Sequence, residues 1–320
     1  MRVHHPRASA KLAARFRHGA VFAVLMVVAC SGSPQGSPAS SGTHFPITVL
    51  EADGSRVTIE HQPRRIVSLS PTATEMLFAI GAGPQVVAVD DQSNYPATAP
   101  TTRLSGFQPN IEAVAAYTPD LVVAADDLGG LVHGMQALGI AIVLEPAAKT
   151  LDVSYAQIAQ LGAITGHATE AGALVAKMRA QVRSFVALVT RSSRPVRVYH
   201  ELDNTFYSAT SQTFIGQVYK LLGLTNIADA AAGGVPDYPQ LSAEYIVSAN
   251  PDLIVLADTK CCSQSLQTVA ERPGWGVISA VRSSQVVGVD DDIASRWGPR
   301  IIDFMQAIAP HVRDIEQRAA

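Results

Sequence analysis

The chain has 320 residues, a charged fraction of 16% and a formal net charge of −3. So low and balanced a charge gives no basic nucleic-acid surface and no polybasic membrane patch. After residue 30 no second long apolar segment follows, so the remainder reads as a soluble body.

Residues 1–30 read as an export and lipidation signal. Arg2, Arg7, Lys11, Arg15 and Arg17 form a basic start, and an apolar run from Gly19 to Ala29 follows. That run falls short of the roughly 20 apolar residues that span a bilayer as a helix. Val27-Val28-Ala29-Cys30 resembles a bacterial lipobox, in which the cysteine is acylated and becomes the new N-terminus. The competing reading is an ordinary cleaved leader with an incidental cysteine. The Ser/Gly/Pro-rich segment 31–45 favours lipidation at Cys30, because a membrane-anchored domain needs a flexible tether.

Beyond the tether lie about 275 residues, enough for two modest domains. Short Val/Ile-rich runs at 66–69, 86–89, 121–124 and 141–144 read as buried strands, as do 196–199, 253–256 and 286–289. Helical patterns separate them, which predicts an α/β chain with mainly parallel sheets. Residues 111–124 parallel 243–256: each is a short amphipathic helix opened by a glutamate (Glu112, Glu244), then Pro-Asp, then a strand. The repeat predicts two lobes of related topology. An uninterrupted helix over 169–190, about 30 Å long, is expected to join lobe 46–168 to lobe 191–320. The other reading of that helix is a crossover within one larger sheet.

Ligands of open α/β sheets bind beyond the carboxyl ends of the strands. Asp126 and Asp127 follow one strand there. Asp258, Cys261 and Cys262 follow its repeat, and Asp290, Asp291 and Asp292 follow a third. Cys261 and Cys262 are adjacent, closer than disulfide partners usually are. Both a vicinal disulfide and two free thiols stay open. Trp275 is assigned to packing. Among the scattered histidines only His200, with Glu201 and Asp203, forms a local cluster. Neighbouring strand residues point to opposite faces, so no metal site is expected, and Glu201 is expected to make a polar ligand contact. Gly81-Ala82-Gly83-Pro84 follows a helix rather than linking strand to helix, so it lacks phosphate-binding geometry. No Gly-x-Ser-x-Gly elbow is present, and no enzymatic activity is expected.

The motifs Arg65-Ile66-Val67-Ser68-Leu69-Ser70-Pro71-Thr72-Ala73-Thr74-Glu75, Asn94-Tyr95-Pro96, the two Pro-Asp-Leu units, Arg272-Pro273-Gly274-Trp275 and Gly298-Pro299-Arg300-Ile301 together carry a resemblance. From Arg65 to about Val312 the chain resembles the iron-siderophore and vitamin B12 family of periplasmic binding proteins. The resemblance implies two Rossmann-like lobes joined by a single long α-helix, and a role in an ABC importer. Its corrinoid-binding branch is the nearest, which implies a cobalamin-like ligand, with a ferric siderophore or haem as alternatives, and no resident cofactor. Carried over motif by motif, the ligand contacts fall on the aromatics Tyr95, Phe107, Tyr207 and Tyr238 and on the polar pair Asp292 and Arg296. Phe107 stands where that branch has a tryptophan, and Trp297 adds a bulky ring beside Arg296. Glu112 and Glu244 are implied to dock a permease dimer with its ATPase subunits, the protein itself acting as a monomer at the outer side of the cell membrane.

Overall fold

The computed structural model describes residues 44–51, 54–189, 194–231 and 237–319. The export leader, Cys30 and most of the tether lie outside these. The strands are β1 (Ile47–Leu50), β2 (Arg56–Ile59), β3 (Ile66–Leu69), β4 (Val86–Val89), β5 (Leu121–Ala124), β6 (Ala141–Leu144), β7 (Arg197–Glu201), β8 (Thr225–Asn226), β9 (Leu253–Leu256) and β10 (Val286–Gly288). The α-helices are α1 (Pro71–Ala79), α2 (Ile111–Ala115), α3 (Leu131–Ala137), α4 (Leu151–Thr165), α5 (Ala168–Leu188), α6 (Phe214–Leu221), α7 (Ala228–Ala231), α8 (Ala243–Ala249), α9 (Leu266–Ala270), α10 (Ser279–Arg282), α11 (Asp291–Ser295) and α12 (Ile301–Ala319).

Two parallel four-stranded sheets carry the chain, in the orders β4-β3-β5-β6 and β8-β7-β9-β10. The second order is the first with every strand number raised by four, so the duplication seen in sequence is a duplication of topology. The match extends to single residues. Asp120 accepts hydrogen bonds from the backbone of Arg64 and Arg65 at 2.8 and 2.9 Å. Asp252 accepts from the backbone of Arg197 at 3.0 Å. The Arg65 guanidinium donates to the carbonyl of Tyr117 just past α2, and that of Arg197 to Ala249 at the end of α8. Thr118 and Asn250, each before the proline, both hold positive φ, 47° and 48°. Each Pro-Asp unit therefore ties a helix end to the start of the neighbouring strand.

Both sheets are covered on two sides, which explains their continuously apolar strands. Val67, Leu69, Val122 and Ile142 pack on one side of the first sheet, and Tyr199, Ile254 and Leu256 on one side of the second. On the other side a single core runs through both lobes, from Ile66, Leu121 and Val143 to Val198, Leu253 and Val255. The chain passes once from the first sheet to the second, through α5, which packs along α4 and α12. Sequence reading did not anticipate the antiparallel β1–β2 hairpin, and α5 begins one residue earlier than expected.

Candidate ligand-binding cleft

Loops that follow the carboxyl ends of the two sheets come together, Asn94 beyond β4 meeting Asp292 beyond β10. The turn from β3 into α1 is built by the Ser70 side chain, which caps the helix by accepting from the Ala73 N–H at 3.3 Å, with Pro71 at the first helical position. Thr74 hydroxyl bonds at 2.9 Å to both Ser68 and Ser93 hydroxyls. These bonds fix the loop that presents Asn94 and Tyr95 beyond β4. Asn94 donates to Asp292, beyond β10, at 2.9 Å. On the flank of the cleft Lys149 and Asp237 approach to 3.8 Å. Beside them lies a cavity of about 290 Å³ between the lobes, lined by Ala147, Ala148, Leu202, Phe214, Tyr238 and Trp297 among others.

The expected aromatics are exposed: Tyr95 by 46%, Phe107 by 76%, Tyr207 by 41% and Tyr238 by 54%. Phe107 is held at the end of β3 because Gly106 lies against the Leu69 carbonyl, where an added Cβ would come within 2.6 Å. Tyr207 follows β7 and bonds back to it, its carbonyl accepting from Leu202 N–H at 2.9 Å. Tyr238 runs alongside it, through Ser208 N–H to the Pro239 carbonyl at 2.9 Å. Tyr95 carries the Arg300 guanidinium over its ring at 4.3 Å. Of these residues, the structure brings Tyr238 and Trp297 into one cavity and sets Tyr207 next to Tyr238. Phe107 is not among the residues that line this cavity.

The polar pair is tied into the protein's own hydrogen bonds. Arg296 is 7% exposed and donates to Glu75 (2.7 Å), Asn94 (3.1 Å), the Gln92 carbonyl (2.9 Å) and Asp292 (3.0 Å). Its guanidinium is engaged within the protein rather than offered to a ligand. Burial pushes the Asp292 carboxyl up, but bonds from Lys260 and Asn94 and the charges of Arg296 and Lys260 outweigh it and hold the group below the usual range. Trp297 donates its indole N–H to Gln157 at 2.9 Å.

Two expectations are corrected. Glu201 is fully buried and takes two bonds from Arg272, at 2.7 and 2.5 Å, so it makes no ligand contact here. Asp258 is likewise buried rather than facing the cleft, and burial, with the charge of Glu201, pushes its carboxyl up to about 7. Asp127 accepts from Val132 N–H at 2.9 Å at the start of α3, while Asp126 is exposed. Asp290 pairs with Lys260 at 2.8 Å. Asp291 accepts from the backbone of Lys260 and Cys261, anchoring the loop in which Cys261 and Cys262 are paired as a vicinal disulfide. His200 bonds to the Tyr219 hydroxyl at 2.6 Å on the side opposite Glu201, and Trp275 is packed in the core. Among the described residues no three His, Cys, Asp or Glu side chains converge as a metal site.

Glu112 and Glu244 are both exposed at the second position of their helices, behind the capping side chains of Asn110 and Ser242. Glu75 and Arg300 were missed as site residues. Glu75 is a carboxylate inside an apolar helix, a pattern that demands a buried partner, but the partner's identity is not written nearby.

Two duplicated lobes with an aromatic-edged cleft between their strand ends define a ligand-binding protein. The chain belongs to the family of periplasmic binding proteins, whose sequence profile matches residues 66–293. The family's members are extracytoplasmic substrate-binding proteins of ABC importers, not enzymes. The chain is 32% identical over 284 residues to a cobalamin-binding protein of Halobacterium salinarum, covering 86% of this chain and 76% of that one. It is 29% identical over 305 residues to an ABC transporter substrate-binding lipoprotein of Bacillus subtilis, covering 91% and 94%. The crystal structure of the periplasmic vitamin B12 binding protein of Vibrio cholerae superposes with a TM-score of 0.67 at 25% identity, covering 80% of this chain and 99% of that one.

Proposed function

We propose that this protein captures a cobalamin-like corrinoid between its lobes and delivers it to the permease dimer of an ABC importer, while a lipid on Cys30 holds it at the membrane. The observation that carries the ligand reading is the set of large aromatic rings left exposed at the strand ends of both lobes. Such rings offer flat faces to a planar macrocycle and regain their burial when it binds. Charge supports the same reading. The cations Lys149, Lys260, Arg296 and Arg300 at the cleft are each paired with a carboxylate. A polyanionic ferric siderophore would have to break those pairs, whereas an amide-rich corrinoid would not. The cavity of about 290 Å³ is smaller than a corrinoid, so binding parts the flank where Lys149 meets Asp237. The likeness to a Bacillus subtilis lipoprotein supports the anchor, and the paired glutamates Glu112 and Glu244 suit a two-fold partner.

The test is a binding screen of the purified full chain against cyanocobalamin, haem and a ferric siderophore. Submicromolar binding of cyanocobalamin is expected. Saturation by haem or the siderophore, with no heat from any corrinoid, would overturn the ligand assignment.

A further inference from the structure

The side chain of Glu75 is 1% exposed, within the apolar helix α1 of the first lobe. A buried carboxylate is costly unless paired and hydrogen-bonded, and both of its partners come from the second lobe. Arg296 donates to Oε1 at 2.7 Å, while Arg300 donates to Oε2 at 2.9 Å and to Oε1 at 2.5 Å. Arg296 also reaches the Gln92 carbonyl and Asn94 in the first lobe and Asp292 in its own. Asp292 in turn holds Lys260, which holds Asp290. Three acids thus balance three bases across the lobe boundary. Arg300, fixed by its two-pronged grip on Glu75, lies over the ring of Tyr95 at 4.3 Å.

We propose that Glu75 is a positioning residue: through Arg296 and Arg300 it sets the spacing of the two lobes and the pose of Tyr95, and so presets the cleft before any ligand arrives. The proposal rests on the reading of this cleft as the ligand site. A planar guanidinium gripping both oxygens of one carboxylate fixes angle as well as distance. The shared core along α4, α5 and α12 holds the backs of the lobes, and this tie removes the remaining freedom at the strand ends. Ligand then meets strand ends that are already ordered, and only the Lys149–Asp237 flank has to part.

The test compares the full chain, purified in mild detergent, with its E75Q and R300Q variants. Donor and acceptor dyes are placed at exposed Gln136 and Lys220, one in each lobe, by non-thiol chemistry that spares Cys261 and Cys262. Without ligand, the unaltered protein is expected to give one narrow interlobe distance distribution. E75Q and R300Q, at temperatures where circular dichroism reports them folded, are expected to broaden it and to release cyanocobalamin about tenfold faster or more. D152N, which breaks the exposed contact with Arg179 at 2.8 Å, is expected to change neither quantity. Unaltered distance distributions in folded E75Q and R300Q would overturn the proposal and leave Glu75 a purely structural residue. Should E75Q not fold, R300Q decides, since it leaves the pairing of Glu75 with Arg296 in place. Absence of corrinoid binding by the unaltered protein would sink the ligand assignment, and the ligand-free distances alone would then judge the role of Glu75.

Discussion

Burial sets the charge of several groups outside the cleft. Glu145, directly after β6, is pushed up to about 8, first by burial and then by the charge of Glu51. Its Oε1 has no hydrogen-bond partner among the described residues. The folded chain therefore holds a proton that the unfolded chain releases above its ordinary value of 4.5. Stability from this group is complete below that value and is lost as pH rises toward 8. Asp258, raised to about 7, acts in the same sense. His200 opposes them: burial lowers it to about 4, so the unfolded chain binds the proton first and stability falls as pH drops from 6.5 toward 4. E145Q should thus be near neutral at pH 5 and stabilising by about 2 kcal/mol or more at pH 8. Thermal melts at the two pH values check this, and a shift that does not depend on pH would contradict it. These residues also show where sequence reading stops. Asp292 and Arg296 were recognisable as a polar pair near the site. That Arg296 is consumed by Glu75, 221 positions away, is a tertiary fact that no local pattern records.

Most strands were legible because each is a run of buried Val, Ile and Leu bounded by turn residues. The β1–β2 hairpin was not. Its strands have four residues each, with only Val49 and Ile59 buried, so neither alternation nor an apolar run is long enough to register. The duplicated helix–Pro-Asp–strand unit was legible for a stronger reason: the same carboxylate ties the same backbone in both lobes, so the residues that perform it recur. That unit also fixes where Glu112 and Glu244 stand, exposed and equivalent, with no ion-pair partner among the described residues. Charge reversal of both, E112K with E244K, is expected to leave ligand affinity unchanged. Transport in cells should fall by about tenfold or more, since breaking charge pairs across an interface costs about 2 kcal/mol or more. Collapse of ligand affinity in that variant would contradict a docking role.

The two lobes share one core along α4, α5 and α12, while their other faces pack separately. Such an arrangement makes a stiff back and leaves the spacing of the strand ends to be set by the contacts made there. The buried ion pairs of Glu75 and the aromatic rims sit at those strand ends. Capture by two lobes requires that rings from both contribute to one ligand. Calorimetric titration of cyanocobalamin into the unaltered chain, Y95A and Y238A measures that requirement. Submicromolar binding is expected for the unaltered chain, and each substitution should weaken it by about tenfold or more, the loss of one stacked aromatic face being about 1.4 kcal/mol or more. Corrinoid binding that is absent, or that is indifferent to the ring on either lobe, would contradict the account.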